Sequence, residues 1–149
     1  MALSTELDRL DPAVAERVRR SNLRVFAGYM ALQAVVGVLF WTGLAASSEI
    51  RSTFELLPSH HPVTDAFILA DMVVGVGGSA LAAWALWTDA RWAVPVVAFT
   101  TGGIVYPTLF LVCWVAMADT GAATLAIMIP PSVLSLYVTW RTWRASQAR

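Results

Sequence analysis

Charged residues are scarce in this sequence, and lysine is absent from it. Of its 149 residues only 13% are charged, against about 25% in an average soluble domain, whereas 58% are hydrophobic. So little polar surface cannot cover a water-soluble globule of this size, and the composition therefore indicates a membrane protein. Ten acidic residues balance ten basic ones, and a net charge of zero provides no positive field for nucleic acid.

Cysteine and histidine are also nearly missing. Cys113 is the single cysteine, which excludes an intramolecular disulfide, a CxxC redox pair and a cysteine-rich zinc site. His60 and His61 are the only histidines, and together with Asp65 they are too few for a metal centre with oriented ligands. We therefore expect no metal and no cofactor. The length allows a single domain.

Four apolar segments are each long enough to span a bilayer, which takes about 20 mainly apolar residues. They comprise residues 25–46, 63–87, 92–117 and 122–140. The second and third connections are tight turns, which makes the helices on either side of each turn antiparallel neighbours. The predicted fold class is therefore all-α: a polytopic membrane protein whose residues 25–143 form a four-helix transmembrane bundle.

The arginines lie almost entirely on one side of these spans. Nine of the ten precede the first span, lie in the second connection or follow the fourth span, and Arg51 alone lies on the opposite side. The positive-inside rule then predicts a cell-membrane protein with both termini in the cytoplasm. Several tryptophans cluster at the same boundary as an aromatic belt, namely Trp84, Trp87, Trp92, Trp140 and Trp143.

The segments that flank the bundle carry much of this basic charge. Residues 1–24 are predicted to form an interfacial segment that contacts lipid headgroups. Within it Asp11 is expected to cap a helix whose first position is Pro12. Residues 144–149 are predicted to form a cytoplasmic tail.

Asp71 is the one acidic residue that lies clearly inside a predicted span, roughly 12 Å along the second helix from Val63. A charged residue in a span is a functional hypothesis by default, although it can also be structural and simply bond a facing hydroxyl group. The positions that share its helical face are mostly small, which directs Asp71 toward the bundle interior: Val74, Gly75, Gly78, Ser79 and Ala82. No lysine or arginine within the spans can pair with it, so we expect a buried, protonated carboxyl group.

Matching depths along the other helices surrounds Asp71 with aromatic and polar side chains. We predict that Asp71 is a catalytic proton donor and that Tyr106 lies beside it as its catalytic partner. Four further residues are predicted to bind the substrate: Gln33, Trp41, Phe110 and Trp114. Prolines within the third and fourth helices, Pro107 and the pair Pro130-Pro131, are expected to bend these helices and open a pocket.

The first connection is the only one with room for structure of its own. It carries His60 and His61, and Asp65 follows at the start of the second helix. These three residues are predicted to form an outer vestibule above Asp71, where the histidines are able to pass protons.

Three classes of function are open to such a protein. The first binds a hydrophobic small molecule near Asp71, as an acid-catalysed isomerase or cyclase of an isoprenoid-like substrate. The second is a non-enzymatic scaffold or accessory subunit, and the third is a proton-coupled small transporter. The expected partners are membrane lipid, a hydrophobic ligand, and a second copy or another membrane protein. An apolar cavity that reaches Asp71 favours the first class, and a tightly packed core favours the second.

Overall fold

A computed structural model describes residues 11–56 and 62–147 of the chain, and within them every regular element is helical. The helices are α1 (Pro12–Ala46), α2 (Ser48–Phe54), α3, α4 (Ala93–Ala118) and α5 (Ala122–Gln147). The helix α3 is continuous and has three parts: Pro62–Ala70, a π-helical part Asp71–Gly77, and Gly78–Trp87. The four long helices α1, α3, α4 and α5 are each long and apolar enough to cross a membrane, which confirms the predicted fold class.

The helix α1 begins where the sequence predicts a helix start. The side chain of Asp11 accepts a hydrogen bond of 2.7 Å from the backbone N–H of Ala13, and Pro12 occupies the first helical position. No break separates this start from the first apolar span, because α1 is one helix of 35 residues. Its length of about 50 Å exceeds the roughly 30 Å of a hydrocarbon core, so α1 is longer than a span requires.

An ion-pair cluster fixes these first turns to the connection between α3 and α4. The guanidinium group of Arg19 binds both carboxylate oxygens of Asp89, at 2.6 and 3.0 Å, and also pairs with Glu16 at 2.8 Å. A bidentate arginine–carboxylate pair adds geometric specificity as well as energy. The cluster therefore joins the start of α1 to the α3–α4 turn at one end of the bundle.

Close packing fills the half of the bundle nearest this turn. Met30 of α1, Val97 of α4, and Ala82 and Ala85 of α3 are completely buried there. Lipid supplies no hydrophobic force that drives transmembrane helices together, so their association depends on close packing. Small side chains such as alanine allow that close packing. This end of the protein is thus a dry, well-packed core.

Hydroxyl groups join α4 to α5 along their common interface. Thr108 and Ser132 form a hydrogen bond of 2.7 Å between their hydroxyl oxygens, and Thr101 and Thr139 form another of the same length. Ser132 and Thr139, seven positions apart, therefore lie on one face of α5, the face that packs against α4.

The π-helical part of α3 was not predicted. It begins at Asp71, and its wider turn carries hydrogen bonds between residues i and i+5. This geometry is rare in proteins, but where it occurs it is often at a functional site. The residues predicted to share one α-helical face of this segment therefore do not all face the same neighbours. Gly78 packs against Thr100 of α4, whereas an added Cβ at Gly75 would meet no atom within 4 Å.

Two glycines on neighbouring helices receive valines of the π-helical part. A Cβ at Gly37 of α1 would lie 2.7 Å from a methyl group of Val76. A Cβ at Gly103 of α4 would overlap a methyl group of Val74 more severely. These glycines let α1 and α4 approach the π-helical part, and so they hold Asp71 in place between them.

We expect Gly103→Ala to destabilise the protein by about 1–3 kcal/mol, because β-branched Val74 has little rotamer freedom to make room. The expected fall in unfolding temperature in detergent is on the order of 2–4 °C per kcal/mol. Gly102→Ala is the matched control, since a Cβ at Gly102 would meet nothing within 4 Å. Equal unfolding temperatures for the two variants would contradict the close approach at Gly103.

Candidate functional site

A cavity of about 210 Å³ lies in the other half of the bundle, away from the α3–α4 turn. All four long helices contribute to its wall, and Phe54 and Leu56 close it from the side of α2. Pro107 of α4 and Pro131 of α5 lie in the wall, in agreement with the predicted opening of a pocket at the proline bends. The lining is mainly aliphatic and aromatic, which is typical of sites that bind small apolar molecules.

Asp71 lies in the wall of this cavity at the first residue of the π-helical part. The side chain of Trp41 lies in the same wall, near this carboxyl group. Among the described residues that line the cavity, Asp71 is the only ionisable one. The expectation of a fully buried carboxyl group is wrong, because Asp71 is only half-buried: it faces an opening and not a packed helix.

Gln33 lies in the cavity wall as well, and a polar network fixes its amide group. Its Oε1 accepts hydrogen bonds from the hydroxyl groups of Tyr29 (2.6 Å) and Ser135 (3.0 Å). Its Nε2 donates to the hydroxyl oxygen of Ser79 at 2.8 Å. The network joins α1, α3 and α5, so Gln33 is held rigidly where the cavity meets the packed core.

The predicted binding residues are partly brought together. Gln33, Trp41 and Phe110 line the cavity as expected. Trp114 is not part of the lining: its ring centroid lies 5.8 Å from that of Phe110, and its indole N–H donates to Thr120 at 3.1 Å. Trp114 therefore supports the wall from behind.

The structure places Tyr106, the predicted catalytic partner, away from the cavity. Its side chain is 72% exposed on the outer surface of α4. Tyr106 precedes Pro107 by one position, which turns it about 100° around the helix from a residue that does face the cavity. Cys113 and Met117 of the same helix are also exposed. The buried positions Ile104, Thr108 and Leu111, at helical spacing, mark the correct face.

The structure describes only one of the three residues predicted to form the outer vestibule, namely Asp65. His60 and His61 lie outside the described residues. Asp65 does not reach the cavity, since it forms an ion pair with Arg51 of α2 on the surface. Its neighbour Thr64, which was not predicted, lines the cavity and is only 7% exposed. The Thr64 hydroxyl group has no hydrogen-bond partner among the residues that the structure describes.

The short helix α2 and the residues after it form a lid over the cavity. Ser47 caps α2 by accepting a hydrogen bond from the N–H of Ile50 at 3.2 Å. Two threonines of the α4–α5 side hold the end of the lid. Thr124 donates to the carbonyl of Phe54 at 2.8 Å, and Thr120 donates to the carbonyl of Leu56 at 2.9 Å.

Comparison with known proteins adds no relative to this description. No family model matches the chain, and no curated protein or solved structure is significantly similar to it. Within residues 11–56 and 62–147, no group of three or more His, Cys, Asp and Glu side chains is arranged to hold a metal ion. The function therefore has to be inferred from the cavity itself.

We expect the double variant Thr120→Val, Thr124→Val to loosen the lid. Each lost hydrogen bond contributes about 1 kcal/mol, so amide hydrogen exchange across residues 48–56 should accelerate by at least about tenfold. Mass spectrometry of the exchanged protein in detergent measures this rate. Thr53→Val is the control, because Thr53 donates only within α2, to the carbonyl of Glu49. Unchanged exchange in the double variant would mean that these threonines do not hold the lid.

Proposed function

We propose that this integral membrane protein binds a hydrophobic small molecule in the cavity and isomerises a double bond of an isoprenoid-like substrate, with Asp71 as the acid. The observation that carries the proposal is the single carboxyl group of Asp71 in an otherwise un-ionised, mainly apolar lining. A proton donor in such a place acts on a substrate with little polarity of its own.

The proposed reaction balances with one carboxyl group. The proton of Asp71 forms a new C–H bond with one alkene carbon, using the π electrons, and leaves a cation at the adjacent carbon. The Asp71 carboxylate then removes a proton from the carbon on the far side of that cation. The double bond has moved by one position, and Asp71 has its proton back.

This proton balance favours an isomerase over a cyclase. A cyclisation usually starts at one end of a chain and ends with proton loss elsewhere, which calls for a second base. An allylic shift keeps both proton transfers on one face of the substrate, within reach of the same carboxyl oxygens. No second ionisable side chain is found among the described lining residues.

The volume of the cavity supports a small substrate. Its volume of about 210 Å³ is below the roughly 300–1,000 Å³ of pockets for drug-sized ligands. The lid formed by Phe54 and Leu56 limits the access of water, which would otherwise capture a cationic intermediate. The competing role as an accessory subunit predicts no deuterium uptake in the experiment below.

The purified protein is to be incubated in D₂O with geraniol, farnesol and geranylgeraniol as probes, and deuterium in the recovered alkenes is measured by mass spectrometry. We expect the wild type to introduce deuterium at an allylic carbon. Asp71→Asn should reduce the rate by at least about 10²-fold, since a general acid contributes that much or more. Its unfolding temperature should be unchanged. Deuterium uptake by Asp71→Asn at the wild-type rate would refute the role of Asp71, and no uptake by the wild type would favour the accessory subunit.

We also propose that the protein lies in the cell membrane with both of its termini on the cytoplasmic side. The support is the position of the arginines: those of α1, α5 and the α3–α4 turn are at one end, and Arg51 is at the other. Arg24 and Arg144 there lie 5.5 Å from the rings of Trp87 and Trp140, as expected in an aromatic interfacial belt.

Single cysteines in a Cys113→Ser background test this orientation. Ser52→Cys on α2 should react with a membrane-impermeant maleimide in intact cells, because Ser52 is exposed on the lid side. Gln147→Cys, exposed at the end of α5, should react only after permeabilisation. Gel shifts of the labelled protein give the result. The opposite labelling pattern would reverse the proposed topology.

A further inference from the structure

We propose that the cavity is a site for positive charge, so that it binds lipophilic cations such as quaternary ammonium compounds. This inference rests on the proposed binding of an apolar molecule in the cavity, but it does not depend on proton transfer by Asp71. The inference specifies the chemical class of the ligand, which the presence of the Asp71 carboxyl group alone does not specify.

The first support is a carboxyl group that has no cationic partner. None of the described residues that line the cavity is an arginine or a histidine, and the chain has no lysine. Arg51 of the lid is bound to Asp65 on the surface, and the other described arginines lie at the opposite end of the bundle. A carboxylate in such surroundings is expensive without a counter-charge, and a cationic ligand supplies that charge.

The second support is the number of aromatic rings in the lining. Phe40 lies 5.5 Å from both Trp41 and Phe54, edge to face, and these three rings come from α1 and the lid. Phe67 of α3 and Phe110 of α4 form a second pair at 5.8 Å. Ring faces attract cations, more strongly when they are desolvated, and aromatic cages recognise quaternary ammonium groups in this way.

The third support is an excess of hydrogen-bond acceptors over donors. Pro107 and Pro131 have no N–H groups, so the carbonyls of Gly103 and Ile127, four residues earlier, lose their helical donors. All four of these residues line the cavity. Carbonyl oxygens in a wall add negative potential, and membrane proteins tolerate them where they face a cavity.

The same lining disfavours an anionic headgroup. A phosphate needs several N–H or cationic donors, as arginine forks or helix N-termini provide. Here the amide of Gln33 already donates to Ser79, and none of the described lining residues is an arginine or a histidine. We therefore exclude isoprenoid diphosphates from the ligands of this cavity.

The test compares octyltrimethylammonium with 2,2-dimethyldecane, in which carbon replaces the charged nitrogen. Equilibrium dialysis of the full chain in nanodiscs, with empty nanodiscs subtracted, gives both affinities. We expect Asp71→Asn to bind the cation at least about tenfold more weakly than the wild type, because the neutral amide leaves the desolvated cation without a counter-charge. Binding of the hydrocarbon should be equal in the two proteins. Equal cation binding by both proteins would overturn the proposal.

Two further variants keep the test decisive if Asp71→Asn fails to fold. Phe67→Leu keeps apolar volume but removes a ring, and it should weaken cation binding by about two- to fivefold while hydrocarbon binding stays the same. Gly75→Leu should fill the cavity and abolish binding of both probes, because the space at Gly75 is open. Gly28→Leu is its control, since Gly28 has equal space but lies on the exposed side of α1. Wild-type cation binding by Gly75→Leu would place the cation elsewhere.

The two proposals fail separately. Selective cation binding without deuterium uptake would refute the isomerase and leave the cation site in place. Deuterium uptake without a preference of the wild type for the cation over the hydrocarbon would refute the cation site and leave the isomerase in place.

Discussion

In a bilayer the backbone has to satisfy its own hydrogen bonds, and this constraint makes all four spans helical. Three departures from regular α-helix surround one cavity in this protein: the π-helical part that begins at Asp71, and the prolines at 107 and 131. The departures are tolerated because their backbone groups face an opening. The cavity and the irregular backbone therefore depend on each other, and Asp71 lies where they meet.

The fold class could be predicted because it depends on long-range averages of hydropathy along the chain. Each of the four spans is detectable alone, and the caps at Asp11 and Pro12 follow from local backbone chemistry. The sequence could assign three residues to one site, namely Gln33, Trp41 and Asp71. Gln33 and Trp41 occupy a regular α-helix, and Asp71 lies at the start of the irregular segment.

The rest of the site depends on packing that no single helix encodes. The prediction for Tyr106 is wrong because matched depth does not define the rotation of α4, which depends on close approaches such as that of Val74 at Gly103. The π-helical geometry has no reliable signal in composition. Thr64 lines the cavity on the same helical face as Phe67 and Asp71, and which face of α3 turns inward is defined only by the tertiary structure.

The two ends of the bundle differ in how easily they can open. The end with Met30 and the pairing of Arg19 with Asp89 is close-packed, whereas the lid is held by two threonine hydroxyl groups and by the surface ion pair of Arg51 with Asp65. Fewer packed side chains therefore have to separate at the lid end than at the opposite end before the cavity opens.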